Sequence, residues 1–233
     1  MIKSLSIVLP IFNEARSLEH VISAWHTHLN QISVNHEFVL CEDGSTDGTK
    51  QLIDILIQRY PCIDQRSPSR RGYGGGVTAG ILASTKDHVL FIDSDGQCMP
   101  DSVNSFLFSE HLESVQIGIR SPRRDPLIRK IYSFLFKIYF RLLFGSDIVD
   151  PSCPYIIAPK NHLTTLMPYM TYMREGYWWG FVGACKKKGL KLVQHKVLHY
   201  PRYDGSTVVY KPSKMPSIIF RNVYKLLLLK IAP

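Results

Sequence analysis

The hydrophobic positions change period several times along the chain, and those changes outline its elements. Residues 4–10 (SLSIVLP) are an apolar run of strand length. The stretch ARSLEHVISAWHTHLN then places Leu18, Val21, Ile22 and Trp25 at helical spacing, with Arg16, Glu19, His20 and Ser23 on the opposite side. HEFVLCE (36–42) predicts a second strand, and TKQLIDILIQRY (49–60) predicts a second helix. A short third strand is expected near Cys62 and Ile63, followed by a glycine-rich turn and a helix over GVTAGILAST (76–85). HVLFID (88–93) reads as a fourth strand, and a helix opens at Pro100-Asp101, where proline suits the first turn. This alternation predicts an α/β fold with a mostly parallel central sheet flanked by helices. No repeat, linker or low-complexity segment divides residues 1–233, so one domain is expected.

In such sheets ligands gather at the carboxyl ends of the strands. Acidic residues fall at three of those ends: Glu14 after the first strand, Glu42 and Asp43 after the second, Asp93 and Asp95 after the fourth. In FIDSDGQC, Asp93 and Asp95 are one residue apart and repel each other unless a cation lies between them. Hard divalent cations such as Mg2+ or Mn2+ take oxygen ligands of this kind together with substrate phosphates. A solvated acidic turn is the plainer alternative. Convergence of acids at three strand ends favours a metal and nucleotide site.

DGSTDGT (43–49) has the capping residues and glycines of a helix start, but Asp43 precedes the turn and capping does not account for it. A carboxylate there can accept a hydrogen bond from a ring N–H of uracil or guanine. RRGYGGGVTAG satisfies a loose dinucleotide pattern, yet it does not follow the first strand as that fingerprint requires. With Arg70 and Arg71 beside it, the stretch suits an anion at a helix start instead.

The formal net charge of +9 points to an anionic partner. The positive charge concentrates in 119–144 (IRSPRRDPLIRKIYSFLFKIYFRLLF), where seven Lys and Arg residues face only Asp125. On a helix, Lys130, Lys137 and Arg141 form a basic stripe beside an apolar arc containing Ile131, Leu135, Ile138 and Leu142. Such a helix either fills a core or lies in the interface of an anionic membrane. Arg129 and Ser133, one turn apart and off that stripe, can grip a phosphate. After Asp204 the chain has no acid, and its Lys and Arg residues interleave with aliphatics rather than stacking aromatics, which favours a membrane surface over nucleic acid. No run approaches the roughly 18 apolar residues of a spanning helix, and no secretory signal is recognised. The five cysteines have no C-x-x-C spacing and read as free thiols of a reducing compartment.

The ordered series SIVLPIFNEA, VLCEDGSTDGT, RRGYGGGVTAGI, FIDSDGQC, RRDPLIRKIYS and GLKLVQHKVLHYPRYDGST resembles the glycosyltransferases of family 2, which have the GT-A fold. Within that family it is most similar to the dolichyl-phosphate mannosyltransferase and polyprenyl-phosphate sugar transferase group. The resemblance implies a nucleotide-sugar and metal half (1–118) and an acceptor half (119–233). It implies that Pro10, Phe12, Glu14 and Asp43 hold the nucleoside, and that Asp93, Asp95 and Gln97 ligate Mg2+ or Mn2+, with Ser94 near the ribose or diphosphate. Arg120, Arg129 and Ser133 would meet a lipid phosphate, and Arg202 the donor diphosphate or acceptor. Two departures stand out. VDPSCPYIIAP (149–159) replaces the family's usual strand after Asp150, and the spanning helices of some bacterial members are absent. The second implies a peripheral protein on the cytoplasmic face of a membrane, or one with a membrane-anchoring partner.

A lipid phosphate is already ionised and needs positioning rather than a strong base, whereas a sugar hydroxyl needs a general base. Asp150 and Glu175 are the only base candidates in the sequence. The expectation is therefore transfer of a hexose, with inversion, from a GDP-mannose or UDP-glucose type donor to a polyprenyl or dolichyl phosphate. A glycan-hydroxyl acceptor is the alternative, and a non-catalytic anion-binding module is a third reading.

Overall fold

The computed structural model describes residues 1–122, 127–145, 147–170, 176–203 and 215–232, the side chains of 127–129 and 215–216 excepted. The first half alternates as its pattern predicts: β1 (Ser4–Ile11), α1 (Leu18–Gln31), β2 (Asn35–Glu42), α2 (Thr49–Arg59), β3 (Cys62–Asp64), α3 (Gly72–Ala83) and β4 (His88–Phe91). A 3-10 turn (Pro100–Ser102) and the single-turn α4 (Asn104–Leu107) lead to β5 (Val115–Arg120). The second half is α5 (Leu127–Phe144), β6 (Ile156–Pro159), α6 (Lys160–Met170), α7 (Tyr177–Lys187), β7 (Leu192–Val197) and α8 (Met215–Ile231).

The seven strands form one sheet in the order β3-β2-β1-β4-β6-β5-β7. All neighbours pair in parallel except β6, which runs antiparallel to both β4 and β5. The segment 149–159 therefore does contain a strand, contrary to the expectation that it departs from one, and that strand lies inside the sheet. The chain winds outward from β1 through β2 to β3, then returns to place β4 on the other side of β1. This reversal opens a crevice at the carboxyl ends of β1 and β4, where doubly wound sheets bind ligands.

Both faces of the sheet are covered. On one, Ile7, Leu9, Phe38 and Leu40 meet Trp25 of α1, Ile53 and Leu56 of α2, and Phe106 of α4. On the other, Val8, Val39, Cys41 and Phe91 meet Val77 and Ile81 of α3 and the apolar faces of α5, α6, α7 and α8. Close approach of α3 to the sheet depends on Gly80, where a Cβ would come within 2.4 Å of Val8 Cγ1 and 2.8 Å of Cys41 Sγ.

The start of α3 corrects the sequence expectation. The helix begins at Gly72, so the glycine-rich stretch is its first turn rather than a turn preceding it. Glycine is a poor helix former, but the Asp43 carboxylate accepts hydrogen bonds from the backbone N–H groups of Arg71 (2.5 Å) and Gly72 (2.8 Å). Those are two of the orphan donors that every helix start must satisfy.

The apolar helix α5 divides between its two expected roles. Phe140 and Phe144 are buried, and Phe136 and Phe140 pack on Trp179 with centroids 4.7 and 5.5 Å apart. Ile131, Phe134, Leu135, Ile138 and Leu142 are exposed on another side. α8 packs on α5, with Tyr139 donating its hydroxyl proton to the Val223 carbonyl. It too leaves an apolar stripe uncovered: Phe220, Tyr224, Leu227 and Ile231. Among the described residues no helix is long and apolar enough to cross a membrane.

Candidate active site

The crevice is built from three loops that follow β1, β2 and β4. The loop after β1 and the DGSTDGT loop are laced together. Asn13 N–H donates to Ser45 Oγ, Thr46 N–H to Asn13 Oδ1, and Glu14 N–H to Thr49 Oγ1 at 2.8–3.0 Å. Asn13 takes a positive φ of 57°, a conformation asparagine tolerates better than most residues. Pro10 and Phe12 stand at the end of β1, and the Arg70 guanidinium lies 3.9 Å over the Phe12 ring. Asp43, Phe12 and Arg70 are thus brought to one wall, with an ion pair of 3.8 Å between Arg70 and Asp43. Capping does explain Asp43 after all, though of α3, the helix 29 residues downstream, rather than of the helix that follows it.

The loop after β4 is pinned to this wall. Ser94 donates its hydroxyl proton to the Pro10 carbonyl (2.7 Å), and the Ser17 hydroxyl, 2.6 Å from the Glu14 carboxylate, also lies 2.9 Å from the Ser94 carbonyl. Ser94 is therefore a structural tie between β1 and the acidic loop in addition to any role near a ribose. Asp93 lies at the strand end and Asp95 two residues on, buried. Burial first, and then the neighbouring Asp95 charge, hold the Asp93 carboxyl well above the usual carboxylate range. A half-buried carboxylate beside a buried one suits a divalent cation, which would offset the charge of both. Gln97 donates its amide N–H to the Tyr200 carbonyl (3.3 Å), which leaves its amide oxygen as an acceptor.

A segment following β7 closes over that loop. Tyr200 N–H donates to the Gln97 carbonyl and Tyr203 N–H to the Asp95 carbonyl, both at 3.1 Å. Between them Arg202 pairs with Glu14 and lies 3.9 Å from Asp95. Arg202 thus joins the β1 loop to the acidic loop, as a cation able to serve a diphosphate. Glu14 itself is raised above the ordinary carboxylate value, because burial outweighs its hydrogen bond from Ser17 and the Arg202 charge.

Several residues expected on the acceptor side line a second, adjoining cavity of about 240 Å³. Arg120, Lys130, Ser133, Lys137 and Asp150 supply its polar lining, and Phe134, Val149 and Trp179 its apolar lining. Arg120 is not a loose cation: Nε donates to Asp150 Oδ2 (2.8 Å), and Nη2 to Asp150 Oδ1 (2.9 Å) and Ser152 Oγ (2.6 Å). Asp150, expected as a base candidate, is the counter-ion of this buried pair. Its fellow candidate Glu175 lies outside the described residues, as does the Arg129 side chain. The helical pattern sets Ser133 apart from the basic stripe; instead it shares the cavity with Lys130 and Lys137, one turn of α5 to either side of it. Burial and the Arg141 charge depress the Lys137 ammonium below its ordinary value. Sequence reasoning assigns these lysines to a membrane alone, although the i, i+3, i+7 spacing of 130, 133 and 137 already places them on the serine's side.

Residues 6–111 match the family described as Glycosyl transferase family 2. The chain is 25% identical to a dolichyl-phosphate beta-glucosyltransferase of Dictyostelium discoideum, over 87% of this chain and 68% of that protein. It is 27% identical to an undecaprenyl-phosphate 4-deoxy-4-formamido-L-arabinose transferase of Pectobacterium carotovorum, over 71% of this chain. The chain spans about half the length of that bacterial relative, 51%. In fold it is similar to glucosyl-3-phosphoglycerate synthase of Mycobacterium tuberculosis solved with Mn2+, UDP and phosphoglyceric acid, with TM-score 0.71 and 19% identity over 99% of this chain and 80% of that one. The matched segment and the ordered motifs make the chain similar to the family 2 glycosyltransferases, and its seven-stranded α/β sheet has the GT-A fold of its structural neighbours.

Proposed function

We propose that the protein transfers a hexose, with inversion, from a nucleotide sugar of the UDP-glucose or GDP-mannose type to a polyprenyl phosphate at the cytoplasmic face of a membrane. The observation that carries this reading is the basic cavity beside the acidic loop. It offers Lys130, Ser133 and Lys137 to an anion, and its one described carboxylate is already committed to Arg120. A phosphate nucleophile needs such cations and no base. A sugar hydroxyl would need a base, and Asp150 is engaged.

In this reading Pro10, Phe12, Glu14 and Asp43 wall the nucleoside subsite, and Asp93, Asp95 and Gln97 would hold Mg2+ or Mn2+. When bound, that cation neutralises charge on the departing diphosphate. Arg202 contributes a fixed positive charge on the same side, held in place by Glu14. Arg129 belongs to the acceptor grip with Ser133. The uncovered apolar stripes of α5 and α8 support docking on lipid, where Lys130, Arg141, Arg221 and Lys230 would face anionic headgroups. The names of the relatives, which transfer sugars to dolichyl and undecaprenyl phosphates, lend further support. A membrane-anchoring partner protein is compatible with the absence of a spanning helix among the described residues.

The test is incubation with Mn2+, labelled UDP-glucose or GDP-mannose, and a short polyprenyl phosphate. Label in a lipid-extractable product that is lost in Asp95→Asn supports the reading. Transfer only to a glycan hydroxyl overturns it.

A further inference from the structure

Tyr73 comes from the glycine-rich stretch to which sequence reasoning gives no side-chain role. It projects from the first turn of α3 toward the end of β4. Its hydroxyl lies between two partners: the indole Nε1–H of Trp178 donates to it at 2.8 Å, and it donates to Oδ1 of Asp93 at 2.8 Å. The direction of these bonds is dictated by chemistry. An indole N–H can only donate, a phenol has a single proton, and the Asp93 carboxylate, ionised when it holds a cation, can only accept. With the Trp178 donor directed at the phenol oxygen, the Tyr73 proton is committed to Asp93.

The two ends of this relay differ in rigidity. Trp178 is buried, with its ring 5.2 Å from Phe91 and 5.6 Å from Phe181, centroid to centroid. The rings of Trp178 and Tyr177 also hold the partly exposed Tyr73 ring edge-on, at 6.3 and 6.1 Å. Asp93, by contrast, stands where β4 has ended and the chain enters a loop. A carboxylate in such a place rotates about its last bond and presents either oxygen unless something fixes it.

We infer that Tyr73, locked by Trp178, is a positioning residue of the metal site: it occupies Oδ1 of Asp93 and so reserves Oδ2 for the divalent cation. This rests on the reading of Asp93 as a metal ligand. Outer partners of this kind orient ligating carboxylates, and their removal typically weakens metal binding about 10- to 100-fold. The relay also joins the two halves of the site, because Trp178 is followed directly by Trp179, which lines the acceptor cavity.

The experiment is a Mn2+ titration of the full chain with UDP present, read by the electron paramagnetic resonance signal of free Mn2+. The proteins are the unmodified chain, Tyr73→Phe, Trp178→Phe, the double variant and Asp95→Asn, and thermal unfolding without Mn2+ is recorded for each. Tyr73→Phe should raise the Mn2+ Kd about tenfold or more, with its metal-free unfolding midpoint unchanged. Trp178→Phe should raise the Kd when Tyr73 is present and add nothing on top of Tyr73→Phe. A purely structural Trp178 would weaken binding equally in both backgrounds, and that result overturns the relay. Should Trp178→Phe not fold, Tyr73→Phe decides alone: a Kd within twofold of the unmodified chain overturns the inference. If Asp95→Asn abolishes binding while Tyr73→Phe is neutral, only this inference fails. If the unmodified chain shows no saturable Mn2+ binding, the metal reading falls with it.

Discussion

Asp150→Asn tests whether the acidic residue of the basic cavity is a counter-ion or a base. Both side chains of the Arg120–Asp150 pair are 9% exposed, so solvent screens the interaction little. The carboxylate receives Nε and Nη2 on separate oxygens, and Ser152 donates to Oδ1 at 3.0 Å. An amide can replace only one of those oxygens as acceptor. Its NH2 group must then face an arginine donor, leaving a buried guanidinium with one acceptor lost and no balancing charge. Breaking a buried pair from one side costs about 3–5 kcal/mol. At roughly 2–4 °C per kcal/mol for a chain of this size, the melting midpoint should fall by about 6–20 °C. The double replacement Arg120→Met/Asp150→Leu removes both charges and should recover much of that loss, because apolar substitutes for buried pairs are often neutral. Thermal unfolding followed by circular dichroism reads all three proteins. A midpoint for Asp150→Asn within about 2 °C of the unmodified chain would refute the counter-ion assignment. If sugar transfer disappeared in that same protein, Asp150 would return as a base.

Three further outcomes follow from the packing and the charges. Gly80→Ala pushes a methyl group into Val8 and Cys41 and should destabilise the fold by about 1–3 kcal/mol, measured as a lower urea midpoint. Burial holds His36 below its ordinary value despite its bond to the Val34 carbonyl, with His26 and Lys86 adding repulsion. Its stabilising contribution is therefore complete above the unfolded value near 6.5, is lost as pH falls through that value toward the lower folded one, and changes no further below it. The difference in stability between the parent and His36→Gln should shrink across that window, and a constant difference would contradict the assignment. Replacing Lys130, Lys137 and Arg141 by Gln should weaken binding to anionic vesicles by roughly 1 kcal/mol per residue. Cosedimentation that ignores both these changes and added salt would remove the membrane role of α5.

Much of the fold is readable in the sequence because local pattern and tertiary burial agree. Leu18, Val21, Ile22 and Trp25 form the buried face of α1, and the apolar runs at 4–10, 36–42 and 88–93 are the three central strands. The acids at the strand ends do converge, since a parallel sheet carries all such ends to one edge. What stays hidden depends on partners distant in sequence. Asp43 caps a helix 29 residues away, and Arg120 meets Asp150 across 30 residues and an intervening helix. No local signal encodes either pairing. The start of α3 is misplaced by local reasoning because glycine propensity argues against a helix there, while the remote cap and the close approach at Gly80 override it. The strand β6 escapes a family-based expectation because its four residues are defined by pairing with β4 and β5 rather than by their own periodicity.

The placement of the three tryptophans makes the protein its own optical reporter. Trp25 is sealed in the opposite face of the sheet, with its indole N–H donating to the Cys98 carbonyl, and should emit constantly whatever the ligand. Trp178 touches the residue that holds Asp93, whereas its neighbour Trp179 borders the cavity proposed to take the acceptor. Two adjacent indoles therefore look into two different subsites. A chain retaining Trp179 but not Trp178 would signal acceptor occupancy in its fluorescence, and the converse chain would signal the donor side. The order in which the two substrates enter could then be followed in real time without an added label.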